Sequence, residues 1–209
     1  MRYEIIPVTP FAQNCTLFWC DQTAEAVLID PGGDVAKVSF AIKQTGVKLQ
    51  KILLTHGHID HVGAAAQLSI DYQVPIVGPH IEDKFWLDQL PEQGRHFGLP
   101  ACESFEPNQW LKTGDVVSFG RCRLEVFHTP GHTPGHVVYF ERTAQIVQVG
   151  DVLFAGSVGR SDFPRSNPAE LKHSIFDTLL PLGDAVRFIS GHGPMSTLGR
   201  EKQTNPFLL

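Results

Sequence analysis

The densest group of potential metal ligands in the chain is one short segment, Thr55–His61, which reads Thr-His-Gly-His-Ile-Asp-His. It follows an apolar run of strand length, and a strand end places loop residues at a sheet edge, where functional sites commonly form. His56 and His58 are two residues apart, so in an extended loop their rings point the same way. Asp60 and His61 follow where the chain turns into a helix, so they can face a second point. Imidazole and carboxylate are ligands that zinc and iron prefer, and the segment therefore predicts a metal site.

A catalytic metal needs about three protein ligands and one open position, so further ligands are expected elsewhere in the chain. Three later segments offer them, each just after a short apolar strand: Phe127–His136 with His128, His132 and His136, then Val149–Asp151, then Ser190–Gly193 with His192. This repeated placement allows all of them to converge on one sheet edge. The alternative, a set of polar loop residues with no metal, is disfavoured because unpaired buried imidazoles and acids cost free energy.

The elements that must position these residues are strands and helices in both halves of the chain. Strands are expected at Ile5–Ile6, Thr16–Trp19, Ala26–Ile29, Lys51–Thr55, Pro75–Val77, Val116–Phe119, Arg123–Phe127, Val137–Phe140, Ile146–Val149 and Arg187–Ser190. Helices are expected from an Asp34 cap to about Gln44 with Gly46 as the stop, from about His61 to Ile70, near Ile81–Leu90, near Ala169–Leu179 and at Thr197–Lys202. The Gly- and Pro-broken region Pro91–Pro107 predicts a long surface loop. This order predicts two sheets packed face to face with helices outside.

Length and charge limit the other possibilities. The 209 residues suffice for one good-sized core or at most two small ones, and no linker or repeat divides them, so a single domain over residues 1–209 is expected. The net charge of -5, with no long run of either sign, argues against a nucleic-acid-binding protein.

Membrane and secretory features are not expected either. No apolar run approaches the roughly 18 residues that a membrane helix needs. The early Glu4 and Pro7 do not fit a secretory signal. Four scattered cysteines without CxxC spacing favour reduced thiols and a cytoplasmic location, with a Cys15–Cys20 bridge as the alternative.

The combination of HxHxDH, TPGHTPGH, GD and GHG resembles the metallo-β-lactamase superfamily. Within it, the chain resembles a short form of the type II glyoxalase (hydroxyacylglutathione hydrolase) branch, from the N-terminal strands to His192. The resemblance implies an α+β fold, a four-layer αββα sandwich with metals at one edge of its two sheets. It also implies a ligand set: His56, His58 and His132 for one metal, Asp60, His61 and His192 for the second, and Asp151 bridging both.

The resemblance implies two divalent metal ions per chain. Zinc is the expected metal, with iron or manganese as alternatives, because a mixed His/Asp site accepts all three. Two such ions, Asp60, Asp151 and a bridging hydroxide leave about one positive charge, which suits the oxyanion of a tetrahedral intermediate. Asp60 and Asp151 are therefore expected to be catalytic as ligands that position the hydroxide. The predicted reaction is attack of this hydroxide on the carbonyl of a small-molecule glutathione thioester such as S-lactoylglutathione.

One residue, Arg160, is predicted to contact the substrate. In type II glyoxalases a basic residue of the loop after the bridging aspartate contacts glutathione, and Arg160 is at the matching place. The alternative is that Arg160 pairs with Asp162 and only shapes the loop. The chain ends 17 residues after His192, without the helical C-terminal domain of full-length type II glyoxalases, so smaller or different thioesters are also expected substrates. Asn205–Phe207 could cover part of the site edge.

The remaining histidines are expected to have lesser roles. His136 is expected to support the site and His128 to orient its loop. His80, His96 and His173 lack suitable neighbours in the sequence and are interpreted as ordinary surface or core residues.

Other activities on the same fold are alternatives. The stretch Gly159–Phe163 also resembles persulfide dioxygenases, which use one iron held by two histidines and an aspartate, but the complete TPGHTPGH and GHG segments favour two metals. Lactonases and hydrolases of other small esters belong to the same family. Zinc β-lactamases typically place a cysteine ligand near the bridging aspartate, and no such cysteine follows Asp151. A non-enzymatic metal-binding module is disfavoured because all seven ligands are present.

Overall fold

The computed structural model describes residues 1–209. Its strands are β1 Arg2–Val8, β2 Gln13–Trp19, β3 Glu25–Ile29, β4 Lys48–Leu53, β5 Ile76–Val77, β6 Val116–Phe119, β7 Cys122–His128, β8 Val137–Glu141, β9 Ile146–Gly150, β10 Leu153–Phe154, β11 Ser157–Val158, β12 Arg187–Ser190 and β13 Ser196–Thr197. Its α-helices are α1 Val35–Thr45, α2 Ile59–Val62, α3 Ala65–Tyr72, α4 Lys84–Asp88, α5 Leu90–Phe97, α6 Pro168–His173 and α7 Leu198–Thr204. A 3₁₀ turn at Ile81–Asp83 precedes α4, and a π-helical segment, Ser174–Leu179, and a 3₁₀ turn, Leu180–Leu182, follow α6.

The strands form two large mixed sheets. The first has the order β1-β2-β3-β4-β5, and its β3-β4 and β4-β5 pairs are parallel. The second has the order β13-β12-β9-β8-β7-β6, and its β9-β12 pair is parallel. The short β10-β11 hairpin is separate from both sheets.

Alternating side chains bury both faces of each sheet. In β3, Val27 and Ile29 belong to the central cluster between the sheets, whereas Ala26 and Leu28 belong to an outer cluster with the helices. Residues of α1, α3, α4 and α5 complete the outer cluster on the first sheet, namely Val38, Ile42, Leu68, Leu87 and Leu90. Residues of α6, the π-helical segment and α7 cover the second sheet, namely Leu171, Ile175, Leu179 and Leu198. The period-two pattern thus produces the four-layer αββα sandwich, and the predicted fold is confirmed.

Parallel pairing brings the candidate ligands to one edge. The segments that follow β4, β9 and β12 carry His56, Asp151 and His192, respectively. The two sheets are joined there through Gly191, whose carbonyl accepts from Asn14 N at 2.7 Å and whose amide donates to Gly150 O at 2.7 Å. The edge is therefore shared by both sheets, as the strand order predicts.

Region Pro91–Pro107 is not the uniform loop that the sequence predicts. It contains most of α5, Leu90–Phe97, and only the residues beyond Gly98 are irregular. Pro91 is tolerated because the first turn of a helix has no internal partner for its amide. Gly98 ends the helix in the left-handed conformation, at φ 65°.

Two smaller expectations about helices are also corrected. The helix expected from about His61 to Ile70 is divided into α2 and α3, because Ala64 N donates to Pro31 O at 2.9 Å instead of continuing the helical ladder. Asp34 precedes α1 but does not cap it with its side chain; its carboxylate accepts from Thr9 N at 2.9 Å.

Two other features complete the fold. All four cysteines are buried and unbridged. No helix is both long enough and apolar enough to cross a bilayer.

Candidate metal centre

Three imidazoles converge at the shared sheet edge. His58 Nδ1 lies 3.1 Å from His56 Nε2 and 3.0 Å from His132 Nε2. All three residues are buried, and each turns one ring nitrogen toward the same point. We refer to His56, His58 and His132 as the three-histidine group. Its composition suits a divalent metal with one open position.

A second group lies beside the first. His192 Nε2 is 3.2 Å from Asp60 Oδ2, and His61 Nε2 is 3.8 Å from the same oxygen. Asp60 and His61 reach this place from α2, whereas His192 lies in the loop after β12. We refer to Asp60, His61 and His192 as the mixed group.

Asp151 lies between the two groups. Its Oδ2 is 3.6 Å from His132 Nε2 and 3.7 Å from His192 Nε2, and its Oδ1 is 3.4 Å from His61 Nε2. One carboxylate therefore faces ring nitrogens of both groups. The structure brings all seven predicted side chains together around this residue.

Hydrogen bonds behind the rings fix which nitrogen faces the centre. His132 Nδ1 donates to Arg160 O at 2.8 Å, and His192 Nδ1 donates to Phe11 O at 3.1 Å. A carbonyl can only accept, so Nε2 of each ring is left without a proton when the ring is neutral. In the same way, His61 Nδ1 lies 2.9 Å from Asp30 Oδ2. A partner of this kind orients an imidazole toward a metal and raises its basicity.

Electrostatics keep the three-histidine group neutral. Burial lowers the pKa of His56, and the neighbouring imidazoles lower it further. Burial likewise lowers the pKa values of His58 and His132, even though the Asp151 carboxylate acts in the opposite direction on both. Neutral rings offer the lone pairs that metal binding requires.

The pKa values of the two histidines of the mixed group shift in the opposite direction. Burial acts to lower the pKa values of His61 and His192, but Asp151 and Asp60 outweigh it and raise both. Burial acts to raise the pKa values of Asp60 and Asp151. The charge of His61, together with contacts to His192, outweighs burial and lowers both pKa values. These opposite shifts have one cause, the mutual attraction between the two histidines and the two aspartates.

Unpartnered atoms show that a metal would fit. His61 Nε2 and Asp151 Oδ1 are buried and, at 3.4 Å from each other, make an ion contact but no hydrogen bond of good geometry. Buried polar atoms are normally paired, because an unpaired one costs free energy. Both atoms face the centre, and the donor set of imidazole and carboxylate is the one that zinc or iron binds.

Gly191 leaves the space that Asp151 occupies. A Cβ atom at this position would lie 2.0 Å from Asp151 Oδ1 and 2.6 Å from His61 Cε1. Only a residue without a side chain permits the backbone after β12 to pass this close to the carboxylate. Gly193, the second glycine of the Gly191-His192-Gly193 motif, has open space around it.

A cavity of about 930 Å³ opens directly above the centre. His58, Asp60, His132, Asp151 and His192 form its floor. Its walls combine aromatic side chains, namely Phe11, Trp86, Phe97, Phe154 and Phe163, with polar ones, namely Gln89, Glu92, Gln93, His96, Ser157 and Arg160. A cleft of this size and mixed character suits a small organic molecule with several polar groups.

Arg160 lies in the cavity wall and is paired with Asp162, at 3.0 Å and 2.9 Å from its two carboxylate oxygens. Its guanidinium also stacks 4.4 Å from the ring centre of Phe163. Both side chains of the pair are 67% exposed, so the ion pair adds little to stability. The expected Arg160–Asp162 pair is present, and Arg160 is also within reach of a bound molecule.

The other predicted residues have the following places. His136 is buried behind the centre, where its Nε2 accepts from Asp151 N at 3.1 Å, and His128 Nε2 donates to Pro134 O at 2.7 Å. His80 stacks on His128, and His173 pairs with Asp177 on the surface. His96, expected to be an ordinary surface or core residue, is exposed on α5 and also lines the cavity.

Asn205 does not cover the site edge. It is buried, and its Nδ2 donates to Ser157 O at 3.0 Å, so it supports the β10-β11 hairpin from outside. Phe207 is 62% exposed and makes no part of the cavity wall.

Asp30 is the main residue that the sequence reasoning missed. It is fully buried after β3, and it accepts from Thr55 N at 2.7 Å, from Thr55 Oγ1 and from His61 Nδ1. Its position directly after a short apolar strand is the same signal that identifies Asp151. Asp83, Trp86 and Gln93 were missed as well, and they carry no comparable signal because they lie within helical segments rather than after strands.

Asp30 changes the charge predicted for the centre. It accepts three hydrogen bonds, which is the role of a carboxylate. With Asp60 and Asp151 the protein supplies three negative charges, so two divalent ions and a hydroxide would leave no net charge rather than one positive charge. Arg160, in the cavity wall, is then a positive charge close to the centre.

Comparisons with known proteins agree with this geometry. A model of the metallo-beta-lactamase superfamily matches residues 8–192. The hydroxyacylglutathione hydrolase GloC of Haemophilus influenzae is 46% identical over 209 residues, which cover 100% of this chain and 98% of that protein. The crystal structure of BLEG-1 B3 metallo-beta-lactamase is 34% identical with a TM-score of 0.91, covering 99% of each chain. The crystal structure of TTHA1623 in a di-iron-bound form is 38% identical with a TM-score of 0.90, covering 98% of this chain and 100% of that chain.

These likenesses extend over nearly the whole chain and include the sheet edge where the histidines and aspartates converge. The match to the family model, the shared sandwich and the cluster of potential metal ligands together show that this chain belongs to the metallo-beta-lactamase superfamily and is a metallo-hydrolase.

Proposed function

We propose that this protein hydrolyses a glutathione thioester such as S-lactoylglutathione, with two divalent metal ions held by the seven converging side chains. The observation that carries the proposal is the position of Asp151 between two groups of ring nitrogens, on the floor of a cavity of about 930 Å³. The 46% identity to GloC over the full chain supports the choice of a glutathione thioester. Zinc is the proposed metal, and the di-iron form of TTHA1623 supports iron as the alternative.

In the proposed centre, the three-histidine group would hold one ion and the mixed group the other, and Asp151, which faces ring nitrogens of both groups, would supply carboxylate oxygens between them. When bound, the ions would lower the pKa of water toward 7 and polarise the carbonyl of the substrate. The carboxylates of Asp60 and Asp151 face the same space and can accept a hydrogen bond from the attacking water, which orients its lone pair. The Nδ1 bonds of His132 and His192 hold these rings in place during the reaction.

The reaction adds water across the carbon–sulfur bond of the thioester. A new C–O bond forms at the carbonyl carbon, the C–S bond breaks, and the sulfur leaves as a thiol with one proton from water. Arg160 is in the cavity wall at the rim and suits a carboxylate of the leaving thiol, at the expense of its pairing with Asp162. The aromatic rings of Trp86 and Phe163 exclude water from one side of His58.

The proposal is tested by metal analysis and turnover of S-lactoylglutathione, beside an Asp151→Ala control. We expect about two metals per chain and robust hydrolysis, both lost in the variant. No turnover by the protein with two metals bound would contradict the substrate assignment. One bound iron, with oxygen consumed in the presence of glutathione persulfide, would instead support a dioxygenase.

A second candidate is hydrolysis of the β-lactam amide. It is favoured by the 34% identity and TM-score of 0.91 to BLEG-1, which is described as a B3 metallo-beta-lactamase. A chromogenic cephalosporin in the same assay distinguishes the two. Turnover of the cephalosporin with a higher kcat/KM than the thioester would favour the β-lactamase function.

A further inference from the structure

Asp83 is a buried carboxylate that contacts neither the centre nor the cavity. It is fully buried and is the last residue of the 3₁₀ turn Ile81–Asp83, directly before helix α4. Its two oxygens accept three hydrogen bonds: Gly57 N and Thr133 Oγ1 both donate to Oδ2 at 2.8 Å, and Gly135 N donates to Oδ1 at 2.6 Å. These three donors come from two separate loops.

The two loops are the ones that carry the three-histidine group. Gly57 lies between His56 and His58, and Thr133 directly follows His132. Asp83 therefore connects the backbone of the first loop to that of the second, behind the ring nitrogens that face each other at 3.0–3.1 Å. None of its hydrogen bonds reaches the mixed group.

The two glycines of these loops pack closely against Asp83 and its neighbour Trp86. A Cβ atom on Gly135 would lie 2.3 Å from Asp83 N and 2.7 Å from its Cγ, and one on Gly57 would lie 2.7 Å from Trp86 Cβ. The three donors also require an acceptor-only group: an amide of the same shape would turn an NH₂ group toward at least one backbone N–H. Leaving a buried donor unsatisfied costs about 1–3 kcal/mol.

We infer that Asp83 is a positioning residue, which sets the relative position of the two loops and so the metal affinity of the three-histidine group, separately from that of the mixed group. This inference rests on the ligand set of the proposed function. It concerns metal affinity rather than turnover, so either can fail without the other.

The test measures Zn²⁺ affinity by competition with a chromophoric chelator, in two backgrounds that each leave one site. His192→Ala retains the three-histidine group, and His132→Ala retains the mixed group. We expect Asp83→Asn to weaken Zn²⁺ binding about 10–100-fold in the first background, the size usual for loss of a residue that supports a metal ligand. In the second background we expect a change within about twofold, as for independent sites.

Asp88→Asn is the matched control, since it makes the same change of charge on α4 at an exposed side chain. It should leave the affinity of both backgrounds unchanged. Thr133→Val removes only one of the three donors and should give a smaller loss in the first background; it also provides the test if Asp83→Asn does not fold. Equal losses in both backgrounds, or no loss in the first, would overturn the inference.

Discussion

Each histidine of the mixed group uses one ring nitrogen for the protein and leaves the other for the centre. His61 makes its outer bond to Asp30, and His192 makes its outer bond to Phe11 O. The backbone of Gly191 must pass close to His61 and Asp151 for this arrangement to exist. The centre is therefore sensitive to residues that are not themselves ligands.

Gly191→Ala should disrupt the proposed centre. Its new methyl group would overlap Asp151 Oδ1, so the carboxylate must move away from both groups. We expect loss of most bound metal and a fall in hydrolysis of about 10–100-fold, as for other loss of a ligand-supporting contact. Metal content by elemental analysis and the turnover rate are the measurements.

Gly193→Ala, two residues away, is the control. Its Cβ meets no atom within 4 Å, although φ is +76°. It should cost about 1 kcal/mol of stability and retain the metal. If Gly191→Ala kept full metal content while Gly193→Ala lost it, the steric argument would be wrong.

Arg160 and Asp162 make a second prediction at the residue scale. If Arg160 binds a carboxylate of the substrate, Arg160→Ala should raise KM about tenfold with little change in kcat, because a charge-assisted hydrogen bond is lost. Asp162→Asn should lower KM, since it frees the guanidinium from a competing partner. Steady-state kinetics distinguish a substrate-binding role of Arg160 from a loop-shaping role. Equal KM values in the wild type and in both variants would leave Arg160 as a residue that shapes the loop.

At the scale of elements, short helices bring unexpected residues to the site. Helix α5 places Gln93 beside the first ligand loop, where Oε1 accepts from Ile59 N at 2.9 Å. The same helix contributes His96 and Phe97 to the cavity wall, and Phe97 packs edge-to-face against Phe11. The region that reads as a loop in the sequence is thus one side of the substrate cavity.

Asn205, directly after the C-terminal helix α7, supports the opposite side of the cavity. Asn205→Ala removes the hydrogen bonds to Ser157 O and Glu201 Oε2, so the β10-β11 hairpin that carries Phe154 should loosen. We expect a loss of about 1–2 kcal/mol in stability and a severalfold rise in KM, with metal content unchanged. Thermal unfolding and kinetics measure these effects. Thr204→Ala, on the exposed side of the same helix, should change neither, and an equal effect would contradict the role of Asn205.

At the scale of the whole molecule, the centre joins the two sheets. His56 follows a strand of the first sheet, and Asp151 and His192 follow strands of the second. A metal bound by both would connect them, and would stabilise the folded state because the unfolded chain has no such site. We also propose that residues 1–209 form a single folding unit.

Metal removal tests whether a bound metal connects the two sheets and whether residues 1–209 form a single folding unit. With a metal at about a thousand times its Kd, binding adds about 4 kcal/mol, which corresponds to a fall in Tm of roughly 10 °C on removal for a chain of this size. Calorimetry of the metal-loaded and chelator-treated protein should show one transition in each case. Two separate transitions would contradict a single unit, and an unchanged Tm would contradict a metal that joins the sheets.

The sequence determined the ligand types, the strands that precede them and the sandwich fold. His56, Asp151 and His192 were predictable because a polar residue just after a short apolar strand must lie at a sheet edge. Residue type and spacing are local properties, and so is the period-two pattern that fixes which face of a strand is buried.

Only the tertiary structure decided what surrounds the ligands. Asp30 and Asp83 meet their partners across 25 to 52 residues of chain, and no local pattern encodes such contacts. Helix α5 was missed because Pro91 and Gly94 weaken its local signal, and packing on Ile59 through Gly94 and the bonds of Gln93 compensate for this. The charge of the centre and the walls of the cavity follow from these distant contacts, since they depend on which buried groups the fold brings together.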